Sequence, residues 1–208
     1  KRWLPDRYAE VVNRVVKDAQ SRSGARVGVA ILGAKGEEPL GKTIADQIKT
    51  RTVVCSGQTT VRELMALVKR CQLFLTNDTG PMHVAAAFQV PLVAVFGPTD
   101  WQTTSPFGVD AKLVRQPVSC APCLLRECPI DHRCMTGVTV EQVYAAAVHH
   151  VPLVAPSPAV EPAPPPSLSS TSLAGVTVFL DRDGTLNVDT GYVKSPDDFT
   201  MLPGVGAA

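Results

Sequence analysis

Two aspartates one residue apart close an apolar run late in the 208-residue sequence, in the order Val178-Phe-Leu-Asp-Arg-Asp-Gly-Thr. A strand that delivers Asp181 to its carboxyl end projects Asp183 to the same side, because alternate side chains share a face. Two acids facing one site, with magnesium between a carboxylate and a phosphoryl group, can carry phosphoryl transfer. Asp181 attacks phosphorus to give an aspartyl-phosphate; Asp183 protonates the leaving oxygen and later deprotonates water. Gly184 permits the tight turn, and Thr185 can hold the loop by bonding to its backbone. A calcium EF-hand loop is excluded, since Leu186 stands where the sixth position needs glycine and Tyr192 where the twelfth needs a bidentate glutamate. A manganese-bound Asp-x-Asp nucleotide-sugar site and a plain Asp-rich turn remain as alternatives.

An earlier constellation, Thr76-Asn-Asp-Thr-Gly-Pro-Met-His, puts an acid between the end of a strand and the start of a helix. In doubly wound sheets ligands gather at carboxyl ends of strands, where the N–H groups and dipole of a helix start favour an anion such as a pyrophosphate. Thr79 and Gly80 occupy that position, Pro81 suits a first helical turn, and Asp78 can accept hydrogen bonds from sugar hydroxyls or N–H donors. The same residues could simply cap a helix. A second glycine-bearing loop, Phe96-Gly97-Pro98-Thr99-Asp100, ends the next strand and would lie beside the first in a parallel sheet. Four cysteines, Cys120, Cys123, Cys128 and Cys134, fall within fifteen residues. That is close enough for one tetrahedral zinc site, but only one short Cys-x2-Cys knuckle is present, and free thiols or adventitious disulfides are the competing reading. Cys55 and Cys71 read as core residues.

The elements that must position these groups alternate. Helices are expected from Pro5 to Gly24, Leu40 to Ile48, Thr60 to Cys71, Pro81 to Phe88 and Val140 to His150, with Thr60 and Glu63 as a capping box. Strands are expected at Arg26 to Leu32, Thr52 to Cys55, Gln72 to Thr76, Pro91 to Phe96 and Ala111 to Val114. Short, almost wholly apolar strands alternating with helices require a parallel sheet covered on both faces, so residues 1–151 form a Rossmann-like α/β unit. Residues 152–173 form a linker, with seven prolines among the first fifteen residues and a serine-rich run after them. Residues 174–208, one buried strand at Val176 to Leu180 and an Asp/Gly-rich loop, are too few for a domain and read as the start of one.

Twenty basic and nineteen acidic residues give a net charge of +1, which provides no overall electrostatic case for a nucleic-acid partner. No run reaches the ~20 apolar residues of a membrane span. The first residue is Lys1, and the opening segment lacks the three-part form of a signal peptide, so a piece of a longer cytoplasmic protein is expected, its crowded cysteines kept reduced.

Thr76-Asn-Asp-Thr-Gly-Pro-Met-His-Val-Ala-Ala-Ala with Pro91-Leu-Val-Ala-Val-Phe-Gly-Pro-Thr resembles the C-terminal half of the lipopolysaccharide heptosyltransferases, most closely the heptosyltransferase II group, and Lys1-Arg2-Trp3 is similar to the run that begins that half. The resemblance implies half of a GT-B glycosyltransferase that binds ADP-heptose, the other half binding a lipopolysaccharide core acceptor at the periphery of the inner membrane. Carried over by position, Lys1 neutralises the donor phosphates and Asp78 contacts the heptose or nucleoside. Thr79, Gly80 and His83 shape the pocket, and Glu37 or Glu38 meets the ribose. Both glutamates could equally belong to a solvated loop, and His83 to helix packing. The cysteine cluster also resembles cysteines at this place in relatives. Asp181-Arg-Asp-Gly-Thr, with the flanking Phe179-Leu and Leu186-Asn-Val-Asp-Thr-Gly-Tyr-Val, resembles the first motif of the haloacid dehalogenase phosphatases. The likeness is to the branch acting on heptose 1,7-bisphosphate and less to the histidinol-phosphatase branch, and it implies a magnesium ion held with Asp181 and Asp183. The two resemblances together imply a bifunctional enzyme. A non-catalytic nucleotide-sugar-binding module with a disordered tail is the reading from another class.

Overall fold

The computed structural model describes residues 2–24, 26–108, 110–125 and 127–150, together with the backbone of a strand at 176–180. Helix α1 (Pro5–Ser23) opens on a proline, whose missing N–H is no loss in a first turn, and ends at Gly24, held at φ 64°. Its Tyr8, Val11, Val12, Val15, Val16 and Ala19 make a buried stripe at three- and four-residue steps. There follow β1 (Val27–Ile31), α2 (Glu38–Ala45), β2 (Thr52–Val54), α3 (Val61–Lys69), β3 (Leu73–Asn77) and α4 (Gly80–Ala87). Next come β4 (Leu92–Phe96), α5 (Trp101–Thr104), β5 (Ala111–Arg115), α6 (Arg133–Thr136), α7 (Val140–Val148) and β6 (Val176–Leu180). The expected capping box heads α3: Thr60 Oγ1 accepts the Glu63 N–H at 3.3 Å, and Glu63 Oε2 accepts the Thr60 N–H at 2.7 Å. Helices α5 and α6, four residues each, are too short to carry a periodic signal and are not among the predicted elements.

All strand pairings are parallel, in the order β2-β1-β6-β3-β4-β5. Strands β1, β3 and β4 are buried along their whole length, as a sheet covered on both faces requires. Alternation along β3 divides the core: Leu73 and Leu75 pack with α1, α2 and α7, whereas Phe74 packs with α3 and α4.

The strand expected to open a separate unit forms, but it stands inside this sheet. As β6 it pairs with β1 in the register Val29↔Val178 and with β3 in the register Leu73↔Val178. The cause lies in the backbone. Each of β1 and β3 turns an edge toward the other, and in a doubly covered sheet those N–H and C=O groups must find partners, which a five-residue apolar strand supplies on both sides. Residues 152–173 and 181–208 lie outside the described residues.

Candidate donor crevice

From the centre of the sheet the chain runs outward in opposite directions: β1 through α2 to β2, and β3 through α4 to β4 and on to β5. The carboxyl ends of β1 and β3 therefore border the switch point, where ligands of open α/β sheets bind. The segment Arg2–Trp3 is fastened at this end, because Asn77 Oδ1, at the last position of β3, accepts the Trp3 N–H at 3.1 Å. The Trp3 indole N–H is accepted in turn by the Val138 carbonyl at 3.0 Å, and its ring meets Tyr8 edge to face at 5.0 Å.

Beyond β3 the chain turns through Asp78 and Thr79 into α4. Asp78 is only 8% exposed, and its Oδ2 lies 3.4 Å from the donating Thr104 hydroxyl of α5. Thr79 occupies the N-cap position, yet no side-chain hydrogen bond caps the helix; its hydroxyl lies 3.3 Å from that of Thr76. Simple capping by Thr79 thus does not describe this loop. The first turn of α4 holds no acidic residue, so its N–H groups and positive dipole end are not neutralised from within. A buried carboxylate beside an uncapped helix start can take hydroxyls on one side and an anion on the other. Gly80 begins α4 within the same turn, whereas His83 lies on the exposed surface of that helix.

On the β1 side, Glu37 is half-buried. Its Oε2 accepts the Ala34 N–H at 2.8 Å, and its Oε1 lies 3.6 Å from the Arg2 guanidinium. Glu38 is held below the usual carboxylate range by the N–H groups of its own residue and of Gly36, and it lies against Gly57. Both glutamates thus brace the β1–α2 loop. Arg2, Asn77 and Thr104 complete the arrangement, each meeting its partner only through the fold. Lys1, Asp181 and Asp183, and with the two aspartates the expected magnesium site, lie outside the described residues.

The cysteine loop is fastened to the second glycine-bearing loop, since the Pro98 carbonyl accepts the N–H groups of Cys123 at 3.0 Å and Leu124 at 2.8 Å. All four thiols are free. Burial pushes the Cys134 thiol up, and the neighbouring thiols of Cys120, Cys123 and Cys128 push it further. The Cys128 sulfur already accepts the His132 N–H at 3.3 Å. Among the described residues no three His, Cys, Asp or Glu side chains are gathered as metal ligands.

Comparison with known proteins agrees with this architecture. The family model for glycosyltransferase family 9 (heptosyltransferase) matches residues 1–133. The lipooligosaccharide heptosyltransferase 2 of Campylobacter jejuni is 36% identical over 154 residues, which is 71% of this chain and 46% of that protein. The structure of the Escherichia coli ADP-heptose LPS heptosyltransferase II shares the fold, with a TM-score of 0.58 at 24% identity over 73% of this chain and 42% of that one. A D-glycero-beta-D-manno-heptose-1,7-bisphosphate 7-phosphatase of Haemophilus ducreyi is 68% identical over 31 residues, 15% of this chain and 17% of that protein. The chain spans about half the length of the two curated Campylobacter jejuni heptosyltransferases that it matches, at 46% and 45%. The matched stretch contains the loops after β1, β3 and β4 that border the crevice, and on that match the chain belongs to glycosyltransferase family 9, the heptosyltransferases.

Proposed function

We propose that residues 1–151 are the donor-binding half of a heptosyltransferase that moves heptose from ADP-heptose to the lipopolysaccharide inner core on the cytoplasmic side of the membrane. The uncapped start of α4 beside the buried Asp78 carboxylate carries this reading. The pyrophosphate lies against the first turn of α4, where Thr79 and Gly80 shape the pocket and Lys1 adds positive charge for the departing diphosphate. Asp78, steadied by Thr104, takes hydroxyls of the heptose or nucleoside. Glu37 sets the loop that faces the ribose, and His83 flanks the same helix start. The acceptor hydroxyl also needs a base, which the resemblance places in the other half of the enzyme, so this part binds and orients the donor. No helix among the described residues is long and apolar enough to cross a membrane.

Isothermal titration of ADP-heptose tests the reading. Binding is expected, and Asp78→Asn, nearly unchanged in shape, weakens it on the order of tenfold because a charge-assisted hydrogen bond becomes a neutral one. Equal affinity in the variant overturns the role given to Asp78, and no binding in either protein overturns the donor site.

For residues 174–208 we propose the start of a phosphatase that hydrolyses the 7-phosphate of heptose 1,7-bisphosphate, joined to the first part by the linker at 152–173. Support comes from the 31-residue match to the Haemophilus ducreyi enzyme. Asp181 is the nucleophile and Asp183 the acid and base; magnesium, when bound, supplies positive charge at the phosphoryl group. In a chain extended to carry the remainder of such a domain, Asp181→Asn abolishes phosphate release from heptose bisphosphate, and retained release removes Asp181 from the mechanism.

A further inference from the structure

A second opening lies farther out along the carboxyl edge of the sheet, between the ends of β4 and β5. It is a cleft of about 420 Å³ bordered by Thr99, Asp100, Trp101 and Arg115, with the cysteine loop at Ala121 and Pro122 as its far wall. That volume falls within the ~300–1,000 Å³ typical of small-molecule sites. Three features mark it as built for a ligand. The Arg115 guanidinium stacks over the Trp101 ring at 4.6 Å and makes no ion pair among the described residues. Stacking fixes the plane of the cation and leaves its N–H edge for an anion. Thr99 is 7% exposed, and its hydroxyl is buried without a hydrogen-bond partner among the described residues, a costly condition that a polar occupant of the cleft can relieve. Asp100 uses one carboxylate oxygen, Oδ1, on the Gln102 N–H at 3.0 Å, and Oδ2 is left as an acceptor for hydroxyl groups.

A fixed cation, an acceptor carboxylate, a hydroxyl in need of a partner and an indole ring together select a polyhydroxylated ring bearing one negative group. We propose that this cleft is a subsite for an anionic saccharide, a sugar carrying a phosphate or a carboxylate. It lies one short helix from the donor loop, because α5 begins at Trp101 in the cleft and reaches Asp78 through Thr104. An anionic sugar seated here is next to the transferred heptose, which makes it part of the acceptor or of its product. That last step rests on the donor reading; the binding itself does not.

Nuclear magnetic resonance titrations of the 208-residue chain separate the two. The Trp101 indole N–H and the Arg115 Nε–H report the cleft, and the Thr79 and Gly80 amides report the donor loop. Mannose 6-phosphate and galacturonate are expected to move the Trp101 and Arg115 signals saturably at millimolar concentration, the better of the two deciding between a phosphate and a carboxylate. Neutral mannose is expected to bind on the order of tenfold more weakly, and Arg115→Gln to remove most of that difference. Arg115 is exposed, so this variant keeps the fold, as an unchanged melting temperature will show. If neither anionic sugar moves the Trp101 signal, or if inorganic phosphate binds as tightly as mannose 6-phosphate, the proposal fails. ADP forms a separate arm. Unmoved Thr79 and Gly80 amides overturn the donor reading and leave the subsite standing, whereas ADP binding without sugar binding overturns the subsite alone.

Discussion

At the scale of single residues, the most consequential contacts of the crevice are tertiary. Trp3 is 2% exposed, and through its two N–H groups it ties the entrance of α1 to the end of β3 and to the segment before α7. Trp3→Ala is expected to cost about 3–5 kcal/mol, the usual range for removing a buried aromatic ring, measured by urea denaturation. A loss under ~1 kcal/mol would show that this clasp does not hold the fold. Legibility at this scale divides along the same line. Asp78, Thr79 and Gly80 could be picked out because an acid between a strand end and a helix start is a local pattern. The Trp3 bond to Asn77 spans 74 positions and that of Thr104 to Asp78 spans 26, with no periodicity to announce either. His83, which the same motif singles out, lies on the exposed surface of α4.

At the scale of elements, the start of α3 was readable from the side chains that cap it, whereas the matching box at α7 was not singled out. Thr60 with Glu63 and Thr139 with Gln142 both form capping boxes. Thr60→Ala is expected to lower stability by about 1 kcal/mol with the fold retained, and Thr60→Gly by only a few tenths. A larger loss for the glycine than for the alanine would contradict the capping account. The end of α7 adds a pH dependence. Burial holds the His150 imidazole below its ordinary value, while the charge of Asp110, its carboxylate 3.6 Å away, acts the other way. A base whose pKa is depressed on folding takes its proton more readily in the unfolded chain. Its contribution to stability is therefore present above the ordinary histidine value of about 6.5 and is lost as pH falls through it toward the folded value. The melting temperature should drop more steeply below about pH 6.5 in the parent chain than in His150→Leu, and equal slopes would remove His150 from the account. Helices α5 and α6 escaped the sequence because four residues make barely one turn, although α5 turns out to link the two loops at the carboxyl edge.

At the scale of the whole molecule, the alternating pattern predicted a parallel sheet, and that sheet is present. What the pattern could not give was the lateral order of strands, because hydrophobic periodicity states that a strand is buried and not between which neighbours. Strand β6 follows a proline-rich stretch and yet lies between β1 and β3. Val178 takes part in both pairings, at the middle of that with β1 and at the first position of that with β3, so Val178→Pro removes a ladder N–H from a central strand and is expected to destabilise the sheet by about 3 kcal/mol or more. Amide hydrogen exchange should quicken in β1 and β3 together while the β4–β5 pair changes less; unaltered protection of β1 would show that β6 does not pair there. One consequence reaches both proposed activities. The peptide that closes the gap in the sheet is also the one that carries the proposed phosphatase nucleophile, and a single peptide cannot occupy two berths at once. Within any one molecule the two chemistries then compete for the same five residues, unless another apolar strand takes the berth and sets Val176–Leu180 free.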